Sequence, residues 1–217
     1  MPEQSISLGS GEHVCHFFEG FADQKAVVLP FFREGLENDE HCIFITSEQS
    51  VDEWIEEFRT FGVDVEQETS RGALLILPKD SWRQPGDFNA IVKAREALGM
   101  FDELLPRFTG IRIAGDAAWA QNPDLPVEQL CHWEATANLV YEGLPIRAIC
   151  QYKLSGHSPQ AMHTALRTHP TVLLDGRCLP NDYFEGARIL RNEPNDFGST
   201  ANAADVDEML ARLRSIA

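Results

Sequence analysis

The sequence predicts a three-layer α/β protein in which a mainly parallel sheet carries helices on both faces. Short apolar runs of strand type alternate with segments of helical period along most of the chain, the order that parallel strands with crossover helices require. At 217 residues the chain suffices for one sizeable core. No apolar run approaches the roughly 18 residues of a membrane span, so the hydrophobic 43% of the residues belongs to a water-soluble core.

The elements follow in order. His13 to Phe18 is the first strand, entered from the turn Gly9-Ser10-Gly11 and followed by the polar loop Glu19 to Gln24. The next helix buries Val28, Phe31, Phe32, Gly35 and Leu36, and Pro30 inside it removes a donor and predicts a kink or a delayed start. His41 to Thr46 is the second strand. Ser50 and Glu53 form a capping box for a helix lined by Val51, Trp54, Ile55 and Phe58 and stopped by Gly62. Ala73 to Leu77 is the third strand, and a long helix starts near Asp87 with Phe88, Ile91, Leu98, Phe101 and Leu105 inward.

Ile111 to Asp116 is a strand that ends in a carboxylate and leads to a loop with Trp119. A helix from about Pro126 to Glu142 has proline at its first turn and Gly143 past its end. Ile146 to Tyr152, a short helix from Ser158-Pro159, and Thr171 to Leu174 as the last strand complete the sheet. Residues 1–191 form the domain and the Asn, Asp, Gly and Ser of residues 192–202 a linker. Residues 203–217 form an amphipathic helix with Val206, Met209, Leu210, Leu213 and Ile216 on one face. That face fits either its own domain or a partner, a second copy of the chain included.

Charge restricts the partners. With 18 basic residues against 34 acidic ones and a net charge of −16, the chain lacks the clustered cations that nucleic acid demands, and it repels anionic membranes. Met1 to Ser5 has neither the basic start nor the apolar core of a secretion signal, and five scattered cysteines suit reduced thiols. A cytoplasmic protein is expected.

A phosphate-binding loop needs glycines whose backbone N–H groups converge on the phosphates, and a lysine and hydroxyl at the helix start. After the first strand, Glu19-Gly20-Phe21-Ala22-Asp23-Gln24-Lys25-Ala26 offers one glycine, two acids and no Lys-Ser or Lys-Thr pair. Lys25 reads as a solvated charge, and Asp116 has no phosphate-bound magnesium to organise.

Several short motifs together resemble one family. They are His13-Val14-Cys15 with Phe17-Phe18, Glu34-Gly35-Leu36, Gly115-Asp116 with Trp119, Trp133-Glu134 with Asn138, Cys150-Gln151-Tyr152, Thr168-His169-Pro170, and Asn181 with Tyr183. From about Gly11 to Tyr183 the chain resembles the MEDS domain (methanogen/methylotroph DcmR sensory domain), related to RecA and KaiC ATPases but without the phosphate loop. Asp116 stands where the family tends to have Glu, and Trp133 where Tyr is usual. The resemblance implies a RecA/KaiC-like fold and a sensory module for small, hydrocarbon-type molecules. It also implies signalling through a kinase or transcription regulator, which for this chain would be a separate partner.

Strand alternation puts His13 and Cys15 on one face. In a RecA-like sheet the first strand lies beside that of Cys150, which would make Cys15 and Cys150 neighbours. These residues either hold a soft metal or act as a thiol switch, or they fill a tightly packed sheet face. Glu134 and Asn138 share one helical face, and a buried Glu134 needs a partner, for which Arg112, Arg147 and His13 are candidates. His169 reads as a residue holding backbone, and His41, His157 and His163 as solvated.

Open α/β sheets bind ligands at the carboxyl ends of their strands. The expected ligand-binding set is His13, Cys15, Phe17, Phe18, Glu19, Asp116, Trp119, Glu134, Asn138, Cys150 and Tyr152. It suits a small organic molecule, with no cofactor required. No Gly-x-Ser-x-Gly elbow or other ordered triad is present, so no enzyme is expected. The alternative is a redox or metal sensor centred on His13, Cys15 and Cys150.

Overall fold

The structure is a computed structural model that describes residues 6–46, 48–78, 81, 89–117, 127–191 and 201–216. Ser47, Phe88, Trp119 and most of the expected linker lie outside the described residues.

Seven strands form one open sheet: β1 (Glu12–Phe18), β2 (His41–Ile45), β3 (Leu74–Leu77), β4 (Ile111–Asp116), β5 (Ile146–Lys153), β6 (Thr171–Leu174) and β7 (Arg177–Pro180), in the order β3-β2-β4-β5-β1-β6-β7. All neighbours run parallel except β6 and β7. The central strands are largely buried on both faces, as packing between two helical layers demands.

One layer contains α1 (Phe21–Glu37), α2 (Val51–Thr60) and α3 (Val65–Ser70). Their side chains pack with Val14, Cys42, Phe44, Leu74, Ala114, Ile149 and Leu173 of the sheet. The other contains α4 (Ala90–Leu104), α5 (Val127–Tyr141), α6 (Pro159–Thr168) and α8 (Ala203–Ile216), and α7 (Gly186–Leu190) packs against α5. The three-layer α/β architecture is that expected from the sequence.

Local chemistry accounts for the boundaries. Ser50 and Glu53 exchange the two bonds of a capping box at α2, and Asn89 caps α4 through Ile91 and Val92. α1 starts at Phe21, well before Pro30, so the proline sits inside the helix and does not delay it. Gly35 is required where α1 meets the sheet: a Cβ there would lie 2.7 Å from Arg112 Cδ and 2.9 Å from Cys42 Sγ.

Two expectations are corrected, and one alternative is narrowed. α4 is rotated relative to the expected stripe: Ala94, Ala97 and Phe101 are buried, while Ile91 and Leu98 are exposed, because small residues let α4 approach its neighbours closely. Thr171 to Leu174 is not the last strand. Asp175 and Gly176, both at positive φ, turn the chain into antiparallel β7, the backbone that a tight Asp-Gly hairpin demands. Of the two uses open to the apolar face of α8, packing on its own domain is present: Val206, Met209, Leu210 and Leu213 are buried with Met162, Leu166, Val172, Leu174 and Leu179 of the same chain, and Arg214 pairs with Asp175 at 2.7 Å. Among the described residues no helix is long and apolar enough to cross a membrane.

Candidate functional site

Alternation along β1 and β5 sends polar side chains to both faces, and each face buries a polar cluster. On the α1 side, Gln24 Nε2 donates to Asp116 Oδ2 at 3.2 Å and to Gln151 Oε1 at 3.1 Å. Gln151 Nε2 lies 3.2 Å from His16 Nδ1, which accepts from it. All four residues are buried. Desolvation lowers the His16 pKa to about 3, so the ring is neutral.

On the opposite face, β1 supplies His13, β5 supplies Cys150 and Tyr152, α5 supplies Glu134 and Asn138, and the end of α6 supplies His169. Glu134 lies at the centre. Its Oε1 accepts from the Tyr152 hydroxyl at 2.8 Å. Its Oε2 lies 3.4 Å from His13 Nε2, 3.5 Å from Cys150 Sγ and 3.6 Å from His169 Nε2. His13 Nε2 and Cys150 Sγ are 3.3 Å apart.

The backs of the rings fix their tautomers. Asn138 Nδ2 donates to the carbonyls of Glu134, Ala135 and Thr168, which leaves its Oδ1 to accept from His13 Nδ1 at 3.3 Å. His169 Nδ1 lies 2.9 Å from the Ala165 carbonyl and must carry a proton to bond it. Both Nδ1 atoms are therefore donors, and His169, a neutral ring, presents its Nε2 lone pair to the carboxylate. His169 Nε2, in a ring with no solvent exposure, has no hydrogen-bond partner.

The electrostatics follow from burial. Desolvation pushes the Glu134 carboxyl up, but His13, His169 and the Tyr152 hydroxyl beside it outweigh that and hold it below the usual carboxylate value. Burial, with His13 adding to it, lowers the His169 pKa to about 3. Burial first and the Glu134 charge second raise Cys150, Tyr152 and Cys15 well above their usual values. The Cys150 thiol keeps its proton and donates it toward Glu134 Oε2.

The residues expected to form one ligand-binding rim fall into two places. His13, Glu134, Asn138, Cys150 and Tyr152 come together under α5, with the Phe17 and Tyr152 rings 6.0 Å apart. Asp116 belongs to the α1 side, as does Phe18, tilted against His16 at 5.7 Å. Glu19 is exposed beyond the end of β1. Cys15 and Cys150 are register partners, as a β1-β5 pairing requires. The Cys15 thiol points elsewhere, however, toward the Thr171 carbonyl at 3.8 Å.

Of the three partners considered for Glu134, His13 is the one in contact. Arg112 and Arg147 both pair with Glu40 instead, near the amino ends of β4 and β5. Lys25 is ion-paired to Glu57 at 2.8 Å rather than simply solvated. His41 and His157 are buried rather than solvated, because each ring bonds backbone carbonyls: Gly72 for His41, Lys153 and Ala117 for His157.

Sequence reasoning missed the second function of His169. Its Nδ1 does hold backbone, as expected, but the same bond frees Nε2 to face Glu134. It also missed the pairing of Gln24 with Gln151: alternation signals Gln151, since a polar residue between Cys150 and Tyr152 must find partners on the other face, but Gln24 in the first turn of α1 carries no such signal.

The chain is a three-layer α/β domain that buries a polar cluster on each face of its sheet. Residues 12–170 match the MEDS family, the MEthanogen/methylotroph, DcmR Sensory domain. The match covers most of the chain, and the chain belongs to that family. No curated protein is detectably similar to it.

Proposed function

We propose that the chain is a non-enzymatic sensory module in which a small organic molecule, bound beside the Glu134 cluster, biases the conformation of the surrounding elements. The altered conformation is passed to a separate signalling protein, a kinase or a transcription regulator. The observation that supports this reading is His169 Nε2, buried and facing a carboxylate oxygen with no hydrogen between them. A fold gains nothing in stability from such a contact, and groups of this kind collect where a site is used.

ATP is not the ligand in this reading, which treats the domain as a RecA-like fold that has given up the nucleotide. The loop after β1 lacks the glycines of a phosphate cradle, and Gln24 bonds the carboxylate of Asp116 that would otherwise face magnesium. Five free cysteines fit a cytoplasmic location.

Thermal shift of the intact chain tests the proposal. A saturable rise in melting temperature with a small metabolite, abolished in Glu134→Gln, is expected, with no response to magnesium-ATP. A clear ATP shift or measurable ATP hydrolysis would sink it.

A further inference from the structure

We propose that His13 Nε2, Glu134 Oε2, Cys150 Sγ and His169 Nε2 bind one divalent transition-metal ion, zinc being the best match. This deepens the sensory reading at the same site and rests on it only for its purpose. The chemistry of binding stands separately.

Geometry comes first. The four atoms all lie within 4.8 Å of one another. A tetrahedral zinc ion with bonds of about 2.0 Å to nitrogen or oxygen and about 2.3 Å to sulfur holds its ligand atoms about 3.3 to 3.6 Å apart. The four contacts described above, at 3.3, 3.4, 3.5 and 3.6 Å, span that range. Four of the six edges of a coordination tetrahedron are thus matched, and the other two, from His169 Nε2 to His13 Nε2 and to Cys150 Sγ, lie within 4.8 Å.

The hydrogen inventory points the same way. Two imidazole nitrogens, a carboxylate oxygen and a thiol sulfur converge, and His169 Nε2 faces Glu134 Oε2 with no hydrogen between them. A second proton on His13 would satisfy one contact and leave His169 Nε2 still facing Glu134 Oε2. A metal ion satisfies all four at once. On binding, the Cys150 S–H bond breaks, sulfur bonds to the metal as thiolate and one proton leaves to solvent.

The outer shell is that of a metal site. Each imidazole donates its Nδ1 hydrogen to an oxygen, Asn138 Oδ1 for His13 and the Ala165 carbonyl for His169, which orients the ring and makes Nε2 more basic. The second carboxylate oxygen of Glu134 is held by the Tyr152 hydroxyl. Two imidazoles, one carboxylate and one thiolate are borderline ligands, which favour zinc and its neighbours over calcium or magnesium. Cys150 is the half-buried residue of the set, the other three being buried. Cys15 lies outside the set: its thiol is turned to the Thr171 carbonyl.

The test uses the full chain, purified without chelator and without a polyhistidine tag. Native mass spectrometry and elemental analysis are expected to show one zinc per chain. After replacement by cobalt, the absorption spectrum is expected to show the ligand-field bands of a tetrahedral ion together with a thiolate charge-transfer band. Cys150→Ser is expected to lose the charge-transfer band and His169→Ala to weaken binding at least tenfold, while Cys15→Ser keeps both metal and spectrum. Zinc is also expected to protect Cys150 from alkylation and leave exposed Cys178 reactive.

A wild-type chain that takes up neither zinc nor cobalt, with Cys150 alkylated equally in both conditions, overturns the proposal. So does a cobalt spectrum that survives Cys150→Ser and is lost in Cys15→Ser. The wild-type cobalt spectrum decides the matter even if a variant fails to fold. A metal-free chain that still shifts with a small metabolite would refute the metal site and keep the sensor. A zinc-bound chain that responds to no small molecule would do the reverse.

Discussion

The two faces of β1 and β5 each bury a polar cluster, yet the clusters differ in how their hydrogens are distributed. On the α1 side the primary amide of Gln24 supplies hydrogens to Asp116 and Gln151, and that of Gln151 supplies one to His16, so every described contact joins a donor to an acceptor. On the α5 side two imidazole nitrogens, a carboxylate oxygen and a thiol face one another across the centre, and His169 Nε2 meets Glu134 Oε2 with no hydrogen between them. Burial and residue count do not separate the clusters. The bookkeeping of hydrogens does, and it marks the first as a packed joint and the second as a place that needs an occupant.

Acid challenges both faces at once and gives the largest effect. His16 and His169 have pKa values lowered to about 3 in the folded chain. Between that value and the unfolded value of about 6.5 the unfolded state holds one more proton per ring, so stability falls as pH falls. Each ring contributes up to about 1.4 kcal/mol per pH unit. Urea midpoints measured across this window should lose part of the slope in His16→Gln and a comparable part in His169→Gln. A slope insensitive to either variant breaks the assignment of one neutral ring to each face.

Glu134→Ala comes next. It strands the Tyr152 hydroxyl and removes the centre of the α5 cluster, and should cost about 3 kcal/mol by equilibrium unfolding. Gln24→Met keeps the volume but leaves Asp116 and Gln151 short of a donor. It should cost about 2 kcal/mol and, if the comparison is right, leave metal content unchanged. A metal loss in Gln24→Met as large as in His169→Ala would show the faces to be coupled. Asp175→Asn, outside both clusters, removes the exposed pair with Arg214 and should cost no more than about 0.5 kcal/mol. A larger loss would mean that α8 is held by charge rather than by its buried apolar face.

The fold was legible in the sequence because strand-like runs and helical periods alternate without ambiguity, and caps such as Ser50 with Glu53 mark the starts. The rotation of α4 was not, since Ile91 and Leu98 outrank Ala94 and Ala97 on any hydrophobicity scale, while the packing distance favours the small residues. β7 was signalled by Asp175-Gly176, a hairpin dipeptide, but four residues containing a proline make a weak strand pattern. His13, Glu134, Asn138, Cys150 and Tyr152 were found individually from alternation and helical spacing. Their meeting with His169 depends on where α6 ends relative to α5, a tertiary fact without local periodicity. The same reason explains why Asp116, placed with them as one rim, belongs to the other face.

The position of α6 has a mechanical consequence. Its ten residues make a rod about 15 Å long that ends at His169, against Glu134, and Met162 and Leu166 on its flank bear on the apolar face of α8. A shift of His169 of a fraction of an ångström is thereby a shift of the surface on which the C-terminal helix rests. Buried chemistry and chain terminus share a single lever, with no flexible relay between them.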